Sequence, residues 1–191
     1  MTVLYLHGMA SSHESEIGNA IKKYMPDVDV LIPDISVNPD IAFPQIDKVL
    51  AEQKVDVIVG HSLGGFMAQK YRGYKKVMVN PCFGTMFFRL FRGKNKYKHA
   101  RFDGCPYFVV TDEICRKYRQ LEHTQFDDID EWEKVITVGC FANWDLYTRL
   151  ACRWFKRHYK RCVEMPGSHF PKEEIVRNFV VPEIRRLLEM R

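Results

Sequence analysis

Apolar runs alternate with amphipathic stretches along almost the whole of this 191-residue chain. Short runs of β-branched and other apolar residues predict strands, and apolar residues spaced three and four apart predict the helices between them. The predicted strands span residues 3–6, 28–35, 55–59, 76–80, 134–141 and 161–165. The predicted helices span residues 16–25, 39–53 with a break near Pro44, 63–71, 146–159, and 172–190 with an interruption at Pro182.

This alternation is typical of βαβ units, in which helices cover both faces of a parallel sheet. We therefore predict a single α/β domain over residues 1–191, with a mostly parallel sheet of about six strands. Residues 82–133 break the alternation with an aromatic stretch, a basic stretch, an extra strand and a further helix. Because this segment falls between the fourth and fifth strands, we predict that it is a lid-like insertion over a ligand site.

The third predicted strand runs directly into Gly60-His61-Ser62-Leu63-Gly64. In a strand-to-helix turn of the form GxSxG, the serine has a strained backbone and an exposed hydroxyl, and the flanking glycines leave room around it. The helix that follows directs backbone N–H groups and the positive end of its dipole toward the bound reactant. Ser62 is therefore the candidate nucleophile of a serine hydrolase.

A serine hydroxyl needs a base to take its proton, and the base needs a carboxylate to orient it. We predict His169 as the base, because it lies in the loop between the sixth strand and the last helix. We predict Asp145 as the acid, because it follows the fifth strand; a helix N-cap is the other interpretation of this residue. Asp112 and Asp34 are alternative acids.

Two backbone N–H groups are candidates for holding the negative charge that develops on a reacting carbonyl oxygen. One belongs to Leu63, which follows the nucleophile, and the other to Met9, which lies in the loop after the first strand. A glycine at position 8 lets the backbone approach the reactant closely. The residues predicted to line the pocket are Gly8, His61, Phe87 and Phe88.

Composition narrows the class of protein further. Hydrophobic residues make up 46% of the chain, yet no apolar run approaches the roughly 20 residues that a membrane span needs. The chain opens on a short predicted strand rather than a signal peptide, so we expect a soluble cytoplasmic protein with no membrane partner. The six cysteines show neither CxxC pairs nor zinc-ligand spacing, so we expect free thiols and no metal.

The charge pattern adds one alternative function. Residues 89–101 interleave basic with aromatic side chains, which could bind a phosphate or the tail of coenzyme A. The same pattern also occurs in proteins that bind single-stranded nucleic acid. The formal net charge is only +5, so a solvated basic loop explains the segment more simply. A nucleic-acid partner is therefore not expected.

Several of these motifs together resemble the α/β-hydrolase superfamily, and more closely the YqiA/YcfP-type small esterase family. The segments that carry the resemblance are Leu4-Tyr5-Leu6-His7-Gly8-Met9-Ala10-Ser11-Ser12, Val59-Gly60-His61-Ser62-Leu63-Gly64-Gly65, Val79-Asn80-Pro81, Asp145 and Gly167-Ser168-His169. The resemblance implies a reduced hydrolase sheet, a Ser62–His169–Asp145 triad, and esterase or thioesterase activity on small acyl substrates. Ala142 departs from it, since such hydrolases often have glycine three residues before the acid.

The leading hypothesis is a serine hydrolase that cleaves a small acyl ester or thioester through an acyl-enzyme intermediate, without a cofactor. The alternative is a ligand-binding protein with a hydrolase fold and an idle triad, which the Ala142 departure leaves open. A third hypothesis is nucleic-acid binding through residues 89–101. The sequence makes no prediction of oligomeric state.

Overall fold

A computed structural model describes residues 1–190 of the chain. Its main sheet contains β1 (Thr2–Leu6), β2 (Asp29–Leu31), β3 (Val57–His61), β4 (Lys75–Val79), β7 (Thr137–Ala142) and β8 (Arg161–Met165). These strands lie in the order β2-β1-β3-β4-β7-β8, and every neighbouring pair is parallel. Two further strands, β5 (Gly93–Lys96) and β6 (Tyr107–Val110), form a separate antiparallel pair.

Helices cover both faces of the main sheet. They are α1 (Glu16–Tyr24), α2 (Pro39–Glu52), α3 (Leu63–Ala68), α4 (Asp112–Thr124), α5 (Glu131–Ile136), α6 (Arg149–His158), α7 (Glu173–Ile175) and α8 (Val181–Glu189). A 3₁₀ helix spans Thr85–Phe91, and a π-helical turn spans Val176–Val180. Side-chain caps at Ser15, Asn38, Thr111 and Asp130 accept N–H groups that have no partner in the first turns of α1, α2, α4 and α5.

Alternate residues of each strand enter two different cores. Val3 and Tyr5 of β1 pack on one face, in a cluster that includes apolar residues of α1 and α8. Leu4 and Leu6 pack on the other face, in a cluster that includes residues of α2, α3 and α4. Because both faces are buried, the strands contain continuous apolar runs, which is the pattern that parallel sheets require. The α/β fold class predicted from these runs is confirmed.

The chain reverses direction across the sheet after β1. From β1 it crosses to β2 on one side, and it then returns to β3 on the other side. The loops that follow β1 and β3 therefore leave the carboxyl edge of the sheet in opposite directions and open a crevice between them. Gly8 and Met9 lie in the first of these loops, and Ser62 begins the second.

The inserted segment, predicted over 82–133, spans residues 80–136 between β4 and β7. It contains the 3₁₀ helix, the β5–β6 pair, α4 and α5. Phe88 of the 3₁₀ helix stacks on Tyr118 of α4 with their ring centroids 4.2 Å apart. Glu133 of α5 forms a buried salt bridge with Lys76 of β4. The inserted segment is thus stabilised by contacts within itself, and a salt bridge joins it to the sheet.

Two predicted strands are shorter than the sequence pattern indicated. The second was predicted over 28–35, but β2 ends at Leu31. Pro33 follows, and the N–H of Ile35 donates to Nε2 of His7 rather than to a neighbouring strand. The fifth was predicted over 134–141, but its first residues belong to α5, because Asp130 caps that helix at the N–H of Glu133.

The predicted helices also differ in detail. The break expected near Pro44 is absent, since α2 is continuous from Pro39 to Glu52. Pro44 lies on the exposed face, where water can bond the carbonyl that its missing N–H leaves free. The interruption expected near Pro182 is present as the π-helical turn directly before α8.

Candidate active site

The turn after β3 holds Ser62 in a left-handed backbone conformation, with φ 53° and ψ −114°. Its neighbours allow no side chain: a Cβ on Gly64 would lie 2.0 Å from the carbonyl oxygen of Leu6, and one on Gly60 would lie 2.5 Å from that of Gly64. The N–H of Ser62 donates to the carbonyl of Val79 at 3.1 Å. The strained conformation is therefore imposed by close backbone packing of β1, β3 and α3.

Ser62, His169 and Asp145 form a continuous chain of hydrogen bonds. The hydroxyl of Ser62 lies 2.9 Å from Nε2 of His169. Nδ1 of His169 lies 2.6 Å from Oδ2 of Asp145. With the proton on Nδ1, the imidazole donates to the carboxylate and presents an unprotonated Nε2 to the hydroxyl. The structure thus brings together the three side chains predicted as nucleophile, base and acid.

Asp145 is buried in a tight turn at the end of β7. Its Oδ1 accepts the N–H of Tyr147 at 3.0 Å, and α6 begins only after this turn, at Arg149. Burial alone would raise the pKa of the Asp145 carboxyl. The hydrogen bonds from His169, Thr148 and Tyr147 outweigh it and hold that pKa below its ordinary value. The carboxylate is therefore charged at neutral pH and available to orient His169.

The alternative acids lie in other environments. Asp112 is exposed on the surface and forms a salt bridge with Arg92. Asp34 accepts the backbone N–H of His13 at 2.6 Å and the N–H of Phe102 at 2.7 Å. Neither carboxylate contacts His169, so the geometry favours Asp145 among the three candidates.

Two residues that the sequence did not nominate for this purpose position the base. Asn80, directly after β4, donates from Nδ2 to the carbonyl of His169 at 3.0 Å and accepts the N–H of Ala142 at 2.7 Å. His61 donates from Nε2 to the same carbonyl at 2.9 Å. The signal for Asn80 was present in the Val79-Asn80-Pro81 motif. Its left-handed φ of 43° suits asparagine better than most other residues.

Burial keeps His61 uncharged. Burial and the neighbouring His169 lower the pKa of His61 to about 3. Its ring lies 5.2 Å from that of His169, centroid to centroid. Although His61 was predicted as a pocket residue, it lies behind the base rather than lining the cavity that contains Ser62. A neutral His61 therefore places no positive charge next to the Ser62–His169 pair.

The N–H groups of Met9 and Leu63 flank the crevice. Neither donates to a protein acceptor within residues 1–190. Between β1 and Met9, His7 accepts the N–H of Ile35 at Nε2 and donates from Nδ1 to the carbonyl of Gly8 at 2.8 Å. That carbonyl and the N–H of Met9 belong to one peptide plane and point in opposite directions. His7 therefore fixes the direction of the Met9 N–H.

A largely apolar cavity of about 300 Å³ opens at Ser62. Gly8, Phe87 and Phe88 line it, as the sequence predicted, and Phe87 and Phe88 come from the 3₁₀ helix of the inserted segment. The other lining residues are Met9, Ala10, Ser62, Leu63, Cys82, Leu90, Phe91, Lys98, Tyr147, His169 and Phe170.

Two cavity residues bear on its chemistry. Burial raises the pKa of the Cys82 thiol to about 12, so this sulfur stays neutral and does not compete with Ser62 as a nucleophile. Lys98 is the cation of the cavity wall, and its Nζ lies 3.8 Å from the ring centroid of Phe170. The cavity thus combines an apolar chamber with a single lysine at its wall.

Residues 2–123 match the model of a family described as "Uncharacterised protein family (UPF0227)". The chain belongs to this family. The family resemblance that the sequence motifs indicated is therefore confirmed. Ser62 and Met9 lie inside the matched region, whereas Asp145 and His169 lie beyond it.

Solved structures with the same fold span nearly the whole chain. The esterase domain of a Rhodothermus marinus protein is 13% identical, with a TM-score of 0.68 over 96% of this chain and 84% of that one. A monoacylglycerol lipase from Paleococcus ferrophilus is 15% identical, with a TM-score of 0.67 over 98% and 93%. Est1E from Butyrivibrio proteoclasticus, with ferulic acid bound, is 16% identical, with a TM-score of 0.64 over 96% and 89%. These similarities establish the α/β-hydrolase fold.

Among residues 1–190, no group of three or more His, Cys, Asp or Glu side chains is arranged to hold a metal ion. In the same part of the chain, no helix combines the length and the apolar character needed to cross a membrane.

Proposed function

We propose that this member of the family is a serine hydrolase that cleaves small carboxylic esters or thioesters. The observation that carries the proposal is the hydrogen-bonded chain from Asp145 through His169 to Ser62, whose hydroxyl opens into an apolar cavity. This arrangement matches what acyl transfer requires of a nucleophile, a base and a substrate chamber. The hydrolase fold of the family is consistent with it but does not define the reaction.

The reaction follows from the geometry in two steps. In the first, Oγ of Ser62 attacks the acyl carbon while Nε2 of His169 takes its proton, and the N–H groups of Leu63 and Met9 stabilise the oxyanion. The C–O or C–S bond to the leaving group then breaks, and His169 returns the proton to that group. In the second, His169 activates a water molecule, which releases the carboxylic acid and restores the Ser62 hydroxyl.

Asp145 contributes throughout without giving up its charge. Its carboxylate keeps the proton of His169 on Nδ1 and stabilises the imidazolium that forms in each step. The cavity wall formed by Phe87, Phe88 and Phe91 would surround the acyl chain. The inserted segment supplies that wall, and we propose that it acts as the lid over the acyl chain.

Labelling with a fluorophosphonate tests the proposal, with the modified residue mapped by mass spectrometry. Such a probe reacts with an activated serine and not with an ordinary hydroxyl. We expect labelling at Ser62 that is lost in Ser62→Ala and His169→Ala. The matched control is Ser168→Ala, an exposed serine next to the base, which should leave labelling at the wild-type rate.

Hydrolysis of acyl esters and thioesters of increasing chain length then defines the substrate. Turnover that is lost in Ser62→Ala supports the proposal. Absence of labelling in folded wild-type protein, together with saturable binding of an uncleaved ester, would instead support the ligand-binding alternative with an idle triad.

A further inference from the structure

Four arginines face a groove on the opposite side of the 3₁₀ helix from the Ser62 cavity. The groove has a volume of about 600 Å³ and lies between this helix and α4. Within the 3₁₀ helix, Phe87 and Phe88 turn toward Ser62, whereas Arg89 lines the groove. The groove is thus a second concave surface, built by the inserted segment and separate from the candidate active site.

The arginines of the groove occur as two pairs. Arg89 and Arg92 are three residues apart in and directly after the 3₁₀ helix, and Arg116 and Arg119 are three residues apart on α4. Residues at this spacing lie on the same side of a helix. Both elements therefore direct two guanidinium groups toward the same volume.

Few of these charges are neutralised by the protein. Arg92 forms a salt bridge with Asp112. The other carboxylate of the groove, Glu122, accepts the N–H of Thr85 at 2.9 Å and also its hydroxyl proton. Within residues 1–190, the remaining arginines Arg89, Arg116 and Arg119 form no salt bridge. The groove consequently keeps a net positive charge.

Guanidinium groups bind phosphate through paired, parallel hydrogen bonds, and each such contact is stronger than one to a neutral acceptor. Three unneutralised guanidiniums around one groove suit a ligand with several negative charges. The volume falls in the range of roughly 300–1,000 Å³ that is usual for small-molecule sites. We propose that this arginine groove binds a small molecule bearing two or more phosphate groups. The proposal does not depend on catalysis at Ser62.

Isothermal titration with inorganic pyrophosphate tests the proposal directly. We expect saturable binding to the wild-type protein and a dissociation constant raised by about tenfold or more in the double variant Arg116→Gln/Arg119→Gln. Both arginines are exposed on α4, so the substitution should leave the fold intact. The unfolding transition of the variant, measured by circular dichroism, verifies this.

The matched control is the double variant Arg153→Gln/Arg157→Gln. These two arginines lie on one exposed face of α6, form no salt bridge in the described chain, and carry the same total charge as the pair on α4. We expect the control to bind pyrophosphate as the wild-type protein does. Equal weakening in both double variants would mean attraction to net charge alone, and would overturn the proposal.

A third variant should strengthen binding. Asp112→Asn removes the negative charge next to Arg92 and frees that guanidinium for the ligand. We expect its dissociation constant for pyrophosphate to fall by several-fold, on the order of what one charge-assisted contact contributes. A merely structural role of the arginines predicts no such gain. Unchanged or weaker binding in this variant, or none in the wild-type protein, would also overturn the proposal.

Comparison of pyrophosphate with adenosine 5′-diphosphate identifies the source of the phosphate. Tighter binding of the nucleotide supports a site for phosphate carried on a larger organic molecule. Tighter binding of pyrophosphate supports a site for the free anion. In both cases the loss in Arg116→Gln/Arg119→Gln must be larger than in the α6 control.

Discussion

At the scale of single residues, the candidate site depends on hydrogen bonds between side chains far apart in sequence. Ser62 and His169 are separated by 107 positions, and His169 and Asp145 by 24. The sequence nominated all three because each follows a predicted strand, and the ends of parallel strands meet at one edge of a sheet. The Val79-Asn80-Pro81 motif marked Asn80, but its role as a positioning residue depends on contacts with Ala142 and with the His169 carbonyl, which the motif does not contain.

Replacing Asp145 by asparagine should slow the reaction while leaving the fold intact. The amide can donate a proton to Nδ1 of His169, which stabilises the wrong tautomer and leaves Nε2 unable to accept the proton of Ser62. We expect kcat for ester hydrolysis to fall by about 10⁴-fold. The matched control is Asp27→Asn, which removes an exposed partner of Arg185 away from the site, and its kcat should stay at the wild-type value.

A fall of less than about tenfold in Asp145→Asn would count against the assigned role of this carboxylate. In that case the same substitution at Asp34 would be the next to measure, because that residue was an alternative acid.

The two buried histidines near the site predict how stability depends on pH. Burial lowers the pKa of His7 to about 4 and that of His61 to about 3. Between pH of about 6.5 and about 4, the unfolded chain takes up a proton at each histidine that the folded protein does not. The free energy of unfolding should therefore fall as the pH falls through this window, by up to about 2.7 kcal/mol per pH unit.

Urea denaturation at several pH values between about 7 and about 5 measures this slope. Carboxylates contribute little above pH of about 5, so the histidines dominate the window. In His7→Gln one of the two protons is removed, and the slope should halve. An unchanged slope in that variant would show that His7 is protonated in the folded protein.

At the scale of elements, the turn after β3 is determined by backbone packing. Gly64→Ala would place a Cβ 2.0 Å from the carbonyl oxygen of Leu6, and no flexible side chain can move to make room. We expect the free energy of unfolding to fall by about 3 kcal/mol or more, measured by urea denaturation. The control is Gly84→Ala, where the nearest atom lies 3.7 Å away and φ is −96°, and its stability should change by less than about 0.5 kcal/mol.

The elements that differ from the sequence prediction do so because of contacts outside their own segment. The strand predicted over 28–35 ends at Leu31, and further along the N–H of Ile35 donates to His7 rather than to a neighbouring strand. The first residues of the strand predicted over 134–141 are helical, because Asp130 caps α5 and that helix continues to Ile136. Local periodicity correctly identified β2 and β7 as strands, but it contained no information about the His7 hydrogen bond or the Asp130 cap.

At the scale of the whole molecule, one buried ion pair fastens the inserted segment to the sheet. Burial lowers the pKa of Lys76 to about 8, although the neighbouring Glu133 opposes this shift. In Glu133→Gln the buried ammonium loses its charged partner, and we expect the free energy of unfolding to fall by about 3–5 kcal/mol. Asp27→Asn, which breaks the exposed salt bridge to Arg185, should cost less than about 1 kcal/mol.

Urea denaturation measures these changes, and a further variant distinguishes two origins of the stability lost in Glu133→Gln. The double variant Lys76→Met/Glu133→Leu removes both charges and keeps apolar volume, so it should recover most of the stability lost in Glu133→Gln. If it is as unstable as Glu133→Gln, the contribution comes from specific hydrogen bonds, such as that from Nζ of Lys76 to the carbonyl of Tyr71, rather than from an unpaired charge.

By itself, the sequence determined the features that depend on near neighbours. Alternating apolar runs predicted the strands and helices, and the run over residues 55–59 into the glycines around Ser62 predicted the turn and its strained serine. Only the tertiary structure decided which carboxylate meets His169, that Asn80 and His61 hold its backbone, and that four arginines of the inserted segment face one groove. The physical reason is that these arrangements consist of contacts between distant segments, whose geometry exists only after the sheet has formed.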